Sequence, residues 1–145
     1  MTMAKILILD SDPAAALVTQ HGLQRLQADS EVTNATSAGD AWLRCLHQAV
    51  DLLIIDPNPA NSASSALIKA LRTDRPDTDV LVLTAYDTPR LRAQMRALGV
   101  EHYLAKPVEL RELGHEVDLL MKQRASMRDK GFVHAIESNK DRSQV

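Results

Sequence analysis

Three short aliphatic runs limit the folds open to this chain. Lys-Ile-Leu-Ile-Leu ends at Asp10, Leu-Leu-Ile-Ile ends at Asp56, and Val-Leu-Val-Leu ends at Thr84. A run of large apolar residues without polar alternation has no solvent face. Each therefore reads as a strand buried on both sides, which requires a parallel sheet covered by helices. Two weaker strands are predicted at 31–36 and 101–105. Helical spacing fills the gaps between them. Asp12-Pro13 reads as an N-cap followed by proline at the first helical position, opening a helix over 13–27. A second helix is predicted over 38–49, with Trp42, Cys45, Leu46 and Ala49 on one face. A third is predicted over 62–72, with Leu67, Ala70 and Leu71 facing inward. A fourth begins near Thr88-Pro89, carries Leu91, Met95 and Leu98, and stops at Gly99. A fifth follows Pro107 with Leu110, Leu113, Val117 and Leu120.

The order is strand–helix repeated five times, so the predicted fold class is α/β, a doubly wound, five-stranded parallel sheet with right-handed crossovers. At 145 residues the chain is one domain with little to spare. The domain is expected over 1–124. The polar stretch 125–145 is expected as a tail or an extension of the last helix, with only Phe132, Val133 and Ile136 able to dock.

Composition removes several function classes. Lys plus Arg is 17 and Asp plus Glu is 19, a formal charge of −2. No global field attracts nucleic acid or an anionic membrane. Aromatic residues are 3 %, too few for a base-stacking platform. No apolar run approaches the ~20 residues of a membrane span. Cys45 is the one cysteine, so no intramolecular disulfide is possible, which fits a cytoplasmic setting. None of the histidines His21, His47, His102, His115 and His134 pairs with another at metal-ligand spacing.

Parallel strands end on one edge of their sheet, and open α/β sheets bind ligands there. That edge would display Asp10, Asp56, Thr84 and Lys106. Paired carboxylates suit a hard divalent cation, and a hydroxyl and an ammonium beside it suit a phosphoryl group. A carboxylate is also a competent nucleophile. Taken one at a time, these residues have ordinary readings: a strand end, a loop cap, a β-branched strand residue and a solvated lysine.

The set Asp10, Asp56, Thr84-Ala85, Tyr103 and Lys106-Pro107 resembles the receiver domain of two-component response regulators, the CheY-like family, over residues 5–123. The resemblance implies a flavodoxin-like fold with strand order 2-1-3-4-5 and a signalling protein rather than an enzyme. It also implies phosphorylation of Asp56 by a histidine kinase or phosphotransfer protein. Asp10, Asp56 and the backbone carbonyl of Asn58 would hold Mg²⁺. Thr84 and Lys106 would bind phosphoryl oxygens, and Thr84 and Tyr103 would act as the switch.

The chain departs from that pattern at Ser11, where the family usually has a second acid, and at Pro57, which has no N–H to donate. Ser11 should weaken Mg²⁺ binding, and Asp12 is expected to be occupied as a helix cap. A second reading therefore stands beside the first: a degenerate receiver that docks or dimerises without phosphorylation. The expected partner surface is the fourth helix with Arg92 and Arg96, the fifth strand, and the fifth helix with Glu109, Glu112 and Glu116. On that surface two copies of the chain could meet. No direct contact with nucleic acid or membrane is expected.

Overall fold

The computed structural model of the chain describes residues 3–142, with side chains through residue 127. Elements alternate along the chain: β1 (Ala4–Leu9), α1 (Pro13–Leu26), β2 (Ser30–Asn34), α2 (Ala38–His47), β3 (Leu52–Ile55), α3 (Ala63–Asp74), β4 (Asp79–Thr84), α4 (Pro89–Ala97), β5 (His102–Ala105) and α5 (Leu110–Arg142). The five strands form one sheet in the order β2-β1-β3-β4-β5, and every pair is parallel. This is the doubly wound, flavodoxin-like arrangement expected. The sheet and the first four helices make up a unit that ends at Leu110; α5 from Arg111 onward is a second.

The central strands are buried on both faces because successive side chains point to opposite sides. Leu7 and Leu9 of β1, Leu53 and Ile55 of β3, and Val80 and Val82 of β4 share one core with Ala41, Cys45, Leu67, Ile68, Leu71, Leu91 and Met95. Their strand neighbours Ile6, Ile8, Leu52, Ile54, Leu81 and Leu83 are also buried. Truncating one of these leucines to alanine costs about 2–5 kcal/mol. In α5, Leu113, Val117 and Leu120 are buried at helical spacing, and no described side chain after Leu120 is buried: Met127 is 71 % exposed.

Local chemistry sets the helix ends. The Asp12 carboxylate accepts from the N–H groups of Ala14 (3.0 Å) and Ala15 (3.4 Å), and Pro13 takes the first helical position. Ser37 accepts from Asp40 N–H at 3.0 Å, while Asp40 accepts from Thr36 N–H at 2.9 Å, a reciprocal cap on α2. That bond, with the charge of Arg44, holds the Asp40 carboxyl below the usual carboxylate range. Thr88 accepts from Leu91 N–H at 3.1 Å to start α4. Gly99 ends it with φ +85°, a left-handed conformation that side chains other than glycine resist. Gly22 in α1 is needed for a different reason: a Cβ there would lie 2.5 Å from a methyl of Leu110.

Several boundaries and faces differ from expectation. β2 stops at Asn34, not at residue 36, because Thr36 and Ser37 are used in the cap of α2. α2 stops at His47, so Ala49 is exposed, and Ala41 and Val50 take its place in the core. In α3, Ile68 joins Leu67 and Leu71 inside, and Ala70 is half-buried. The expected docking residues Phe132, Val133 and Ile136 lie beyond the described side chains. No helix among the described residues is long and apolar enough to cross a membrane.

Candidate functional site

The parallel topology delivers four chain segments to one edge. Asp10 follows β1, Asp56 follows β3, Thr84 ends β4 and Lys106 follows β5. Backbone bonds fix them there: Asp56 N–H donates to Leu9 carbonyl at 3.0 Å, and Lys106 N–H donates to Thr84 carbonyl at 2.8 Å. The Lys106–Pro107 peptide is cis.

The side chains converge. Lys106 Nζ lies 2.6 Å from Asp10 Oδ2 and 3.1 Å from Asp56 Oδ2. Both carboxylate side chains are 7 % exposed and the lysine 22 %. Burial opposes the ammonium charge. The hydrogen bonds and charges of Asp10 and Asp56 outweigh it, so Lys106 is held above its ordinary range. Asp10 Oδ1 accepts from Asp12 N–H at 2.9 Å. Asp56 Oδ2 also faces Ala85 N–H at 3.4 Å, a long bond. Asp56 Oδ1 is buried and has no hydrogen-bond partner among the described residues. An unpaired buried carboxylate oxygen is costly, so this atom suits a cation or a hydrogen-bond donor.

The other expected residues fall around this centre. Thr84 is fully buried, and its Oγ1 accepts from Tyr86 N–H at 2.9 Å. Ser11 is exposed. Pro57 is buried and contributes no donor. Asn58 is exposed; its side-chain oxygen accepts from Ala60 N–H at 2.9 Å and its carbonyl from Asn61 N–H at 3.1 Å. Tyr103 stands apart on β5, half-buried against the core. Its hydroxyl donates to Asp87 at 3.0 Å. The sequence reading did not single out Asp87. Its only sequence signal is an acid in the loop after β4, five residues ahead of Arg92.

Arg92, expected on the partner surface, is exposed and pairs with Asp87 inside the chain at 2.6 Å. Among the described residues no group of three or more His, Cys, Asp or Glu side chains could hold a metal. The acidic oxygens that converge at the site are thus those of the Asp10–Asp56 pair. Oxygen donors and the unsatisfied Asp56 Oδ1 fit a hard cation such as Mg²⁺.

Comparison with known proteins gives the family of the chain. The family model for the response regulator receiver domain matches residues 6–118. The chain is 32 % identical over 110 residues to the TorCAD operon transcriptional regulatory protein TorR of Escherichia coli K12, covering 74 % of this chain and 46 % of TorR. It is 31 % identical over 113 residues to the DNA-binding transcriptional regulator NtrC of Rhizobium meliloti, covering 78 % of this chain and 23 % of NtrC. The chain thus spans about half of TorR and about a quarter of NtrC. A CheY-like receiver domain from Methanospirillum hungatei superposes with a TM-score of 0.78 at 22 % identity, over 86 % of this chain and 98 % of that one. Chemotaxis protein CheY4 of Vibrio cholerae gives 0.72 at 26 % identity, over 81 % and 98 %.

The chain belongs to the response regulator receiver family, the signalling module of two-component systems. Receivers generally bind Mg²⁺ at their phosphorylation site and interact with histidine kinases or phosphotransfer proteins.

Proposed function

We propose that the chain is a phosphorylatable receiver with Asp56 as phosphoacceptor. The observation that carries this reading is the buried Asp56 carboxylate, held by Lys106 through one oxygen and left unsatisfied at the other. In the reaction, an Asp56 oxygen attacks the phosphorus of a partner's phosphohistidine. The O–P bond forms as the P–N bond breaks, and the imidazole nitrogen leaves with the electron pair.

Lys106 and the Thr84 hydroxyl bind phosphoryl oxygens, and the Thr84 O–H is available to donate while its oxygen accepts from Tyr86 N–H. Asp10, Asp56 and the Asn58 carbonyl hold Mg²⁺, which supplies neutralisation of phosphoryl charge. With Ser11 in place of an acid, that binding is weak. The residue span 1–124 serves as the receiver and 125–145 continues its last helix or tail.

The test is an intact mass after incubation with acetyl phosphate and Mg²⁺. One added phosphate, absent from Asp56→Asn, is the expected result. A folded protein that gains none over hours refutes phosphorylation. A second reading, a phosphorylation-independent docking module, is favoured by Pro57 and Ser11, which remove one donor and one acid from the site. That outcome of the mass experiment would select it.

A further inference from the structure

A cavity of about 470 Å³ lies between the β3–α3 loop and the start of α4. That volume falls within the range of small-molecule pockets, roughly 300–1,000 Å³. Residues 57–62 with Ser65 form one wall, and Thr88, Arg90, Leu91 and Gln94 form the other. None of Asp10, Asp56, Thr84 and Lys106 lines it, so it is separate from the acid site.

The walls are set before a ligand arrives. Pro57 and Pro59 each fix a backbone angle of the loop. Asn58 closes the loop further: its side-chain oxygen accepts from Ala60 N–H at 2.9 Å and its carbonyl from Asn61 N–H at 3.1 Å. Gln94 Nε2 of α4 donates to Ser65 Oγ of α3 at 2.9 Å and ties the two walls together.

The polar lining is one-sided, because its acceptors are used within the chain and its donors are left over. Asn61 Oδ1 accepts from Ala63 N–H at 2.7 Å, as Asn58 Oδ1 does from Ala60. Neither amide Nδ2 bonds a group among the described residues. Ser62 makes no side-chain cap bond to α3. Ser65 Oγ accepts from Gln94 and Thr88 Oγ1 from Leu91 N–H, so both hydroxyls keep an O–H to donate. Arg90 is exposed, is the one charged residue of the lining, and pairs with no acid among the described residues.

A lining of donors with a single cation selects a ligand made of acceptors with a single negative charge. A carboxylate meets both conditions, and its two oxygens match the fork of a guanidinium. A phosphate dianion would bring a second charge with no cation to meet it. Pro57, Pro59 and Leu91 offer apolar wall to a hydrocarbon body.

We propose that this cavity binds a small organic monocarboxylate, with Arg90 and the Asn58 and Asn61 amides on the carboxylate and the proline–leucine wall on its body. The site does not depend on Asp56 being the phosphoacceptor.

The test titrates the full chain with benzoate and follows backbone amide signals by nuclear magnetic resonance. Benzamide, which keeps the body without the charge, and inorganic phosphate, which keeps charge without the body, are run beside it. A probe as small as benzoate should bind in the millimolar range. Signals from the 58–62 and 90–94 segments should move and saturate, while those of Asp10 and Lys106 stay in place. Arg90→Gln should weaken benzoate about tenfold by removing a charge-assisted bond. Ser62→Leu fills the cavity at a position with no cap bond to lose, and should abolish the shifts. Benzamide and phosphate should each bind severalfold more weakly than benzoate.

No saturable shift at the cavity, or equal benzoate binding by both folded variants, overturns the site. Shifts centred on Asp10, Asp56 and Lys106 would put benzoate at the acid site and overturn it as well. Phosphate that binds as tightly as benzoate would show bare anion attraction, and benzamide that does so would remove the role of charge. Either result overturns the monocarboxylate.

Discussion

At the scale of single residues, the site shows how one position can be excluded from a role by work it does elsewhere. Asp12 is next to Ser11 and could in principle supply the missing acid. Its carboxylate instead accepts two backbone N–H groups at the start of α1. Asp12→Ala should therefore cost about 1 kcal/mol of stability as a lost helix cap and leave Mg²⁺ affinity unchanged. Ser11→Asp should do the opposite, tightening Mg²⁺ severalfold by adding a carboxylate to an oxygen site. Calorimetry on both variants checks the pair. An Asp12→Ala protein that loses Mg²⁺ would show that the cap reading is incomplete.

Asp87 carries a pH prediction. Its folded pKa lies below its unfolded value, so its contribution is complete above the ordinary carboxylate range and is lost as pH falls through the folded value. Tyr103 ring signals should thus be constant from neutral pH down to about 4 and move only in stronger acid. A shift centred near neutrality would count against an Asp87 origin.

At the scale of elements, α1 and β2 show a contact that no local pattern announces. β2 is the edge of the sheet, so alternate backbone groups on its outer side lack a strand partner. Gln24 of α1 fills that role with one amide. Its Nε2 donates to Ser30 carbonyl at 2.6 Å, and its Oε1 accepts from Val32 N–H at 3.1 Å, the two bonds a neighbouring parallel strand would make around Glu31. One turn earlier, Gln20 donates to Val32 carbonyl at 3.0 Å and accepts from the Asn34 amide at 2.7 Å. Gln24→Ala should cost about 1–3 kcal/mol by leaving part-buried backbone groups unpaired, and should open the edge to strand pairing between copies. Urea unfolding reads the first effect and sedimentation at rising concentration the second. Unchanged stability would mean that water replaces the amide at no loss.

The three central strands were legible in the sequence because their burial is continuous and needs no partner to be recognised. The cap at Asp12 and the start of α4 near Thr88 were legible because both are set within a few residues. The glutamine pair and the bond from Tyr103 to Asp87 were not, since each joins groups from different elements. The end of α2 was misplaced by two residues for the same reason: Ala49 continues the helical spacing, yet Val50 must enter the core before β3.

At the scale of the whole molecule, the strand order followed from resemblance, and the edge constellation followed from the parallel direction of the strands. Spacing alone placed Asp10, Asp56, Thr84 and Lys106 at strand ends. The ion pairs from Lys106 to both acids, and the unsatisfied Asp56 oxygen, needed the fold. The extent of the cooperative unit is a separate matter, and burial along α5 gives it. Leu113, Val117 and Leu120 are buried, whereas Lys122, Gln123, Ala125, Ser126 and Met127 are exposed. Stability per residue comes mainly from apolar surface removed from water, so among the described side chains of α5 those of the first three turns should carry nearly all of the contribution.

A chain ending after Arg124 should then unfold in one transition, with its midpoint within about 4 °C of the full chain, since a loss of 1 kcal/mol shifts a domain of this size by roughly that amount or more. Scanning calorimetry at two protein concentrations is the measurement. A larger drop that is independent of concentration would place stabilising packing beyond residue 124 within one molecule. A drop seen only at high concentration would mean that the same segment stabilises the chain by joining two copies, an association apart from the one expected through the Arg92, Arg96, Glu109, Glu112 and Glu116 faces, all of which the shortened chain keeps.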